Sequence, residues 1–129
     1  MDLERALPES ARYMPADIVS RDNRTLYCEL NLGIMPNVPA DVVTMLGVLE
    51  YCHNPAAVLA GISARWQRLV LTYNPADLDA GRDRRLHGWF NALDSAELVK
   101  LATNEGFQLE AIVPHGTRER IYVFTKAAE

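Results

Sequence analysis

The class of the fold follows from residues 41–47, Asp-Val-Val-Thr-Met-Leu-Gly, and from the elements after them. The apolar side chains of this stretch follow one another without the polar alternation of a half-exposed strand, so residues 40–47 are predicted to form a buried parallel strand. A helix is predicted next, because Asn54 and Pro55 supply an N-cap and a first-turn proline. Residues 68–73 are apolar at their centre and stop at a turn signal, which predicts a second buried strand. Two such strands joined by a helix indicate the α/β class.

Upstream of this unit the predicted elements are short. Residues 1–7 carry two leucines one helical turn apart and end at a proline, which is typical of the last turns of a helix, so the chain is expected to start inside an element. Residues 11–19 and 25–30 are candidate strands, and Pro15 makes the first of them marginal as a central strand.

Downstream, a helix and a hairpin are expected to close the domain. Asp94 and Glu97 form a capping pair, and Gly106 is placed to end the helix that they begin. Residues 107–113 and 120–125 are strand-like and predict a terminal antiparallel hairpin, so the sheet is mixed. The long irregular stretch before this helix, residues 74–93, has the length of a functional or mobile loop.

Composition excludes several classes of protein. The chain has 129 residues, and 13 Lys plus Arg against 17 Asp plus Glu give a net charge of 13 minus 17, or −4, with a pI near 5.3. This length predicts one domain, and this charge disfavours a broad nucleic-acid-binding surface. No apolar run approaches the ~20 residues of a membrane span, and no signal-peptide core opens the chain, so a cytoplasmic protein is expected.

Neither the two cysteines nor the cluster of three arginines is expected to form a functional site. Cys28 and Cys52 lie far apart without a CxxC partner or nearby histidines, so neither a metal site nor a disulfide framework is predicted. The cluster Arg82, Arg84 and Arg85 is interpreted as a solvated loop.

Two motifs, in the order of the predicted elements, carry a resemblance to a known family. The first is Asp41-Val42-Val43 leading into Gly47-Val48-Leu49-Glu50-Tyr51, and the second is the set Asn91, Leu93, Glu97, Leu98 and Gly106-Phe107. Together they resemble the class I S-adenosylmethionine-dependent methyltransferases over nearly the whole chain. The resemblance implies an α/β, Rossmann-like sheet, mostly parallel, with a C-terminal antiparallel hairpin.

One departure from the family concerns glycine. The family binds its cofactor at a Gly-x-Gly loop after the first strand, because only glycine allows so close a backbone approach. The seven glycines of this chain are scattered, and no two fall within three positions of each other. The resemblance therefore implies an N-terminally incomplete domain without the first strand and its glycine loop.

In the family sheet that first strand would lie between residues 11–19 and residues 40–47. Without it, three outcomes are reasonable: direct pairing of these two strands into a six-stranded sheet, pairing across a homodimer through the exposed edges, or loss of preceding sequence. The first is favoured.

The resemblance assigns S-adenosylmethionine as cofactor and implies residues that bind it. Asp17 matches the acidic residue that accepts hydrogen bonds from the ribose hydroxyls, and Glu29 with Leu30 matches the position that meets the adenine. Leu46 and Gly47 would line the crevice at the carboxyl end of the fourth family strand. The alternative interpretations are a turn residue for Asp17, an exposed edge charge for Glu29 and plain core packing for the other residues.

On the substrate side, Glu50, Tyr51 and His53 follow the strand end and are the candidate catalytic residues. His53 could remove a proton from the methyl acceptor, or it could be an ordinary surface histidine beside a helix start. The candidate substrate-binding residues come from the next strand end and the long loop: Tyr73, His87, Trp89 and Asn91. Trp89 could stack on a flat substrate or anchor the loop to the core.

These assignments predict a methyltransferase domain that acts on a small molecule. A non-catalytic remnant that serves as a partner or scaffold subunit is the alternative, and its support is the missing glycine loop. An unrelated α/β nucleotide-binding module is the third interpretation, and the absence of a phosphate-binding loop in the sequence argues against it.

Overall fold

The computed structural model describes residues 3–78 and 83–126. The chain divides into two compact units, Met1–Pro36 and Asn37–Glu129. Among the described residues, no helix is long and apolar enough to cross a membrane.

The first unit contains a short helix and two very short strands. Helix α1 is Leu3–Ala6, and strands β1, Ala16–Asp17, and β2, Leu26–Tyr27, pair in parallel. The predicted strands at residues 11–19 and 25–30 are thus wrong in length. Thr25 explains part of this, because its hydroxyl accepts hydrogen bonds from the backbone of Arg21 and Asp22 and closes a turn immediately before β2.

The second unit is built on a mixed four-stranded sheet. Its strands are β3, Val43–Met45, β4, Arg68–Tyr73, β5, Phe107–His115, and β6, Glu119–Lys126, in the order β3-β4-β6-β5. β3 and β4 are parallel, and β6 is antiparallel to both β4 and β5. The predicted parallel pair, the closing hairpin and the α/β class are therefore confirmed.

The position of β3 corrects two expectations. The described strands form a two-stranded and a four-stranded sheet, not one six-stranded sheet, and β3 is an outer strand of the larger one. Val42 and Leu46, which flank it, are 43% and 46% exposed. Of residues 40–47 only Met45 is buried, so the predicted buried strand was wrong for the rest of the run. A parallel strand is buried when neighbouring strands and helices cover it, and β4 is the only strand that pairs with β3 among the described residues.

Two helices pack on this sheet, and both begin where the capping residues predict. Helix α2, Pro55–Ser63, starts at Asn54, whose side chain accepts a hydrogen bond from the backbone of Ala57. Helix α3, Ser95–Asn104, starts with a reciprocal capping box between Asp94 and Glu97. The largest fully buried hydrophobic side chains of the unit come from both helices, the sheet and the turn after β3: Tyr73, Tyr122, Phe107, Phe124, Leu49, Leu59, Leu69, Leu71 and Leu98.

Candidate functional site

The candidate site of the second unit lies where β3 and β4 end. Because the two strands are parallel, their carboxyl ends meet at the same edge of the sheet. After β3 the chain turns at Gly47, whose φ of +67° suits glycine and whose amide donates to the Thr72 hydroxyl at 2.7 Å. Leu46 and Gly47, the predicted crevice residues, are both exposed at this turn.

Glu50 is buried directly behind this turn and holds the end of β4. It lies in the 3₁₀ turn Leu49–Tyr51 and is only 1% exposed. Its Oε2 accepts hydrogen bonds from the backbone N and the side-chain Nδ2 of Asn74, at 3.0 and 2.8 Å. Its Oε1 is buried and has no hydrogen-bond partner among the described residues. In this conformation Glu50 positions Asn74, and its catalytic role stays a prediction.

The end of the long loop docks onto the same 3₁₀ turn. Phe90 donates its backbone N–H to the carbonyl of Glu50 at 2.8 Å. Asn91 donates its side-chain amide to the carbonyls of Leu49 and Cys52, at 2.8 and 3.0 Å. These bonds give the carbonyls of Glu50 and Cys52 a donor and give that of Leu49 a second donor beside the Cys52 N–H, so the loop is an integral part of the site.

Tyr73 ties the end of β4 to the same loop. The residue is fully buried, and its hydroxyl donates to Oδ1 of Asn91 while accepting from the backbone N–H of Leu93 at 3.0 Å. Burial raises the pKa of the Tyr73 phenol above its usual value. Its predicted contact with substrate stays a prediction, because in this conformation the hydroxyl is used to hold the loop.

Aromatic and imidazole rings form the outer part of the site. The His53 ring meets the Phe90 ring edge to face at 4.2 Å, and the His87 ring stacks on the Trp89 ring at 4.7 Å between centroids. Tyr51, 47% exposed, lies against the position where Gly88 would carry a side chain. The structure thus brings the candidate residues on the substrate side together around one strand end.

Arg84 is the residue of this site that sequence reasoning missed. Its guanidinium donates to the carbonyls of Asn74 and Asn91, at 2.8 and 2.9 Å, and to the Tyr73 hydroxyl at 3.3 Å. Its central carbon lies 4.8 Å from the centroid of the Trp89 ring. The interpretation of the arginine cluster as a solvated loop was therefore wrong for Arg84. Arg85 is exposed as predicted, and Arg82 lies outside the described residues.

The first unit holds the remaining candidates, Asp17, Glu29 and Leu30. Asp17 ends β1 and lines a shallow hollow with Ile18, Ser20, Thr25 and Tyr27. Its carboxylate accepts from the Arg21 side chain at 3.1 Å and from the backbone of Val19, and these bonds lower the Asp17 pKa.

Glu29 and Leu30 lie at a tight turn, not on an extended strand. Glu29 caps the 3₁₀ turn Leu30–Leu32 by accepting from the backbone of Asn31 at 3.0 Å, and its own backbone bridges to Ile34. A cofactor contact by either residue stays a prediction.

The chain is similar to proteins of known structure. No protein-family model and no curated protein matches this sequence. The O-methyltransferase NcsB1 from neocarzinostatin biosynthesis, in complex with S-adenosylmethionine and 2-hydroxy-5-methyl naphthoic acid, superposes with a TM-score of 0.63 at 19% identity. The match covers 81% of this chain and 34% of that one.

Two further structures are similar. Magnesium protoporphyrin IX methyltransferase ChlM from Synechocystis PCC 6803, with bound SAH, has a TM-score of 0.62 at 18% identity and covers 84% of this chain and 54% of that one. CalO1, a methyltransferase in calicheamicin biosynthesis in its SAH-bound form, has a TM-score of 0.58 at 19% identity, with coverages of 81% and 35%.

The chain thus spans about a third to a half of the length of these three structures. At identities of 18 to 19% the likeness establishes the fold. The described part of this chain has the fold of the S-adenosylmethionine-dependent methyltransferases.

Proposed function

We propose that this chain contributes the substrate side and part of the cofactor side of an S-adenosylmethionine-dependent methyltransferase with a small-molecule acceptor. The observation that carries the proposal is the convergence of Tyr51, His53, His87 and Trp89 at the carboxyl ends of β3 and β4. Open α/β sheets bind their ligands at this edge. Similar structures with bound S-adenosylmethionine or SAH support the choice of cofactor.

Each unit, taken by itself, has residues whose chemistry suits a part of such a cofactor. In the first unit, Asp17 carries a carboxylate whose two oxygens keep acceptor capacity beyond the bonds from Val19 and Arg21, as binding of a ribose diol requires. In the second unit, a Cβ built on Gly47 would meet no atom within 4 Å, so a ligand can approach the backbone there. Leu46 offers an exposed apolar side chain beside it.

The acceptor side requires alignment and removal of a proton. The cofactor, when bound, supplies an electrophilic methyl group on a sulfonium. His53 is exposed and oriented by the Phe90 ring, so its imidazole is the group that takes the acceptor's proton. The Trp89 and Tyr51 rings provide flat surfaces against which a planar acceptor aligns.

A partner or scaffold role is the second candidate, and the outer position of β3 favours it. Within the described residues β3 pairs with β4 on one side only, and the backbone groups of its other edge can pair with another strand, including one from a second copy of the chain.

Isothermal titration of the chain with S-adenosylmethionine tests the main proposal. Saturable binding is expected, and Asp17→Asn should weaken it at least tenfold because the ribose diol loses one charged acceptor. Glu9→Gln is the matched control, since Glu9 is also an exposed acidic residue of the first unit. Absence of binding, together with self-association in analytical ultracentrifugation, would replace the enzyme proposal with the partner role.

A further inference from the structure

We propose that Arg84 is a positioning residue that fixes the segment 85–91 over the carboxyl ends of β3 and β4. That this segment faces the methyl acceptor rests on the proposed function. That Arg84 holds the segment in place rests only on the contacts of the described residues. Arg84 therefore controls the placement of His87, Trp89 and Phe90 without touching a reacting atom.

The guanidinium of Arg84 joins two parts of the chain. On one side it bonds the carbonyl of Asn74, the residue that follows β4, at 2.8 Å. On the other side its Nε bonds the carbonyl of Asn91, near the end of the loop, at 2.9 Å. These two donors lie in the one rigid plane of the guanidinium, so the guanidinium sets the distance between the carbonyls of Asn74 and Asn91.

The same guanidinium organises the rings of the segment. Its central carbon lies 4.8 Å from the Trp89 centroid and 5.6 Å from the Tyr73 centroid, within cation–π range of both rings. Trp89 in turn stacks on His87. Removal of the guanidinium therefore takes away two ring contacts as well as three hydrogen-bond donors, and the Trp89 ring loses its support.

The segment begins in an exposed turn, whereas Phe90 and Asn91 at its end bond to the 3₁₀ turn after β3. It forms a single 3₁₀ turn, Arg84–His87, capped by Asp83 and ended by the left-handed Gly88. Leu86 is 84% exposed, so the one aliphatic side chain of this turn does not anchor it by packing. Local opening is easiest where buried contacts are few, so the hydrogen bonds of Arg84 decide whether the turn stays docked.

The test compares Arg84→Met and Arg84→Lys with Arg85→Met in the full chain, by amide hydrogen exchange. Arg85 is a matched control because it occupies the same turn and is exposed. We expect the amides of Phe90 and Leu93 to exchange on the order of tenfold or more faster in Arg84→Met, whereas those of β4 and β6 are unchanged. Arg84→Lys should recover only part of the protection, because an ammonium cannot reproduce the fork.

A second readout uses the two tryptophans, whose indole N–H signals serve as reporters in proton NMR. The Trp89 signal should shift in both Arg84 variants. The Trp66 signal should not, since that indole donates to the carbonyl of Val38 at 2.9 Å and is buried.

Each outcome decides the proposal. Wild-type protection of Phe90 and Leu93 in Arg84→Lys, or equal protection in Arg84→Met and Arg85→Met, would overturn it. If Arg84→Met exposes amides throughout the unit, the Lys variant alone decides. Failure of the wild-type chain to bind S-adenosylmethionine would refute the proposed function and leave the exchange result unaffected.

Discussion

Replacement of Glu50 is the most direct test of how this site is held together. In Glu50→Ala, the backbone N and the side-chain Nδ2 of Asn74 lose the oxygen that accepts both of them, at 3.0 and 2.8 Å. Each hydrogen bond to a buried carboxylate contributes about 1.5–3 kcal/mol, so loss of the two should lower the free energy of unfolding by roughly 3–6 kcal/mol. This is a large part of the 5–15 kcal/mol typical of a domain.

Glu50→Gln separates the role of shape from the role of charge. Its amide oxygen can still accept both Asn74 donors, and its NH₂ takes the place of Oε1, which has no partner among the described residues. The new NH₂ is a buried donor without a partner, but removal of the buried charge offsets its cost. We therefore expect the free energy of unfolding of Glu50→Gln to lie within about 1 kcal/mol of the wild-type value.

Urea unfolding followed by far-UV circular dichroism measures both changes in the free energy of unfolding. Glu110→Gln is the control, because Glu110 pairs with Arg68 at the surface at 2.9 Å and such pairs contribute about 1 kcal/mol or less. A loss of unfolding free energy in Glu50→Ala no larger than in Glu110→Gln would contradict the proposed role of Glu50. An equal loss in Glu50→Gln and Glu50→Ala would contradict it as well.

Three further predictions concern the buried tyrosines, the Asp17–Arg21 ion pair and Gly47. Burial raises the pKa values of Tyr73 and Tyr122 above the ordinary value of 10.0. The stability that their neutral forms provide is therefore complete below about pH 10 and is lost as the pH rises through the folded-state pKa values. In Tyr122→Phe, the free energy of unfolding should fall less steeply with pH above about pH 10 than in the wild-type chain. Arg21→Gln should raise the pKa of Asp17 toward its usual 3.8, which a carboxyl carbon NMR titration measures, and an unchanged value would show that the ion pair is not formed in solution. Gly47→Ala should cost about 1–2 kcal/mol of stability from its φ of +67° alone, because the added Cβ meets no atom within 4 Å; thermal unfolding checks this, and an unchanged midpoint would contradict it.

Much of the second unit could be predicted from local patterns. The cap at Asn54, the capping box at Asp94 and Glu97, and the apolar run of β4 all depend on neighbours within a few residues, so the sequence contains the information. The first unit was predicted poorly. Its strand-like composition did not reveal that the Thr25 hydroxyl would cap the turn before β2.

The site divides in the same way. Tyr51, His53, His87 and Trp89 were identified because they follow strand ends or lie in the long loop, and the structure brings them together. Arg84 was missed because nothing in its neighbours distinguishes it from a solvated arginine. Its partners, Asn74 and Asn91, lie 10 and 7 positions away, and only the folded loop brings them within reach.

From residue 40 onward, local patterns were enough to predict the types, order and approximate bounds of the helices and strands, because helix caps and hydrophobic periodicity depend on near neighbours in the chain. Only the tertiary structure decided that β3 is an outer strand, that Glu50 is buried against Asn74, and that Arg84 joins the loop to the end of β4. Burial and hydrogen bonding depend on which distant groups arrive beside a residue. That arrangement is a property of the packed sheet and its loops.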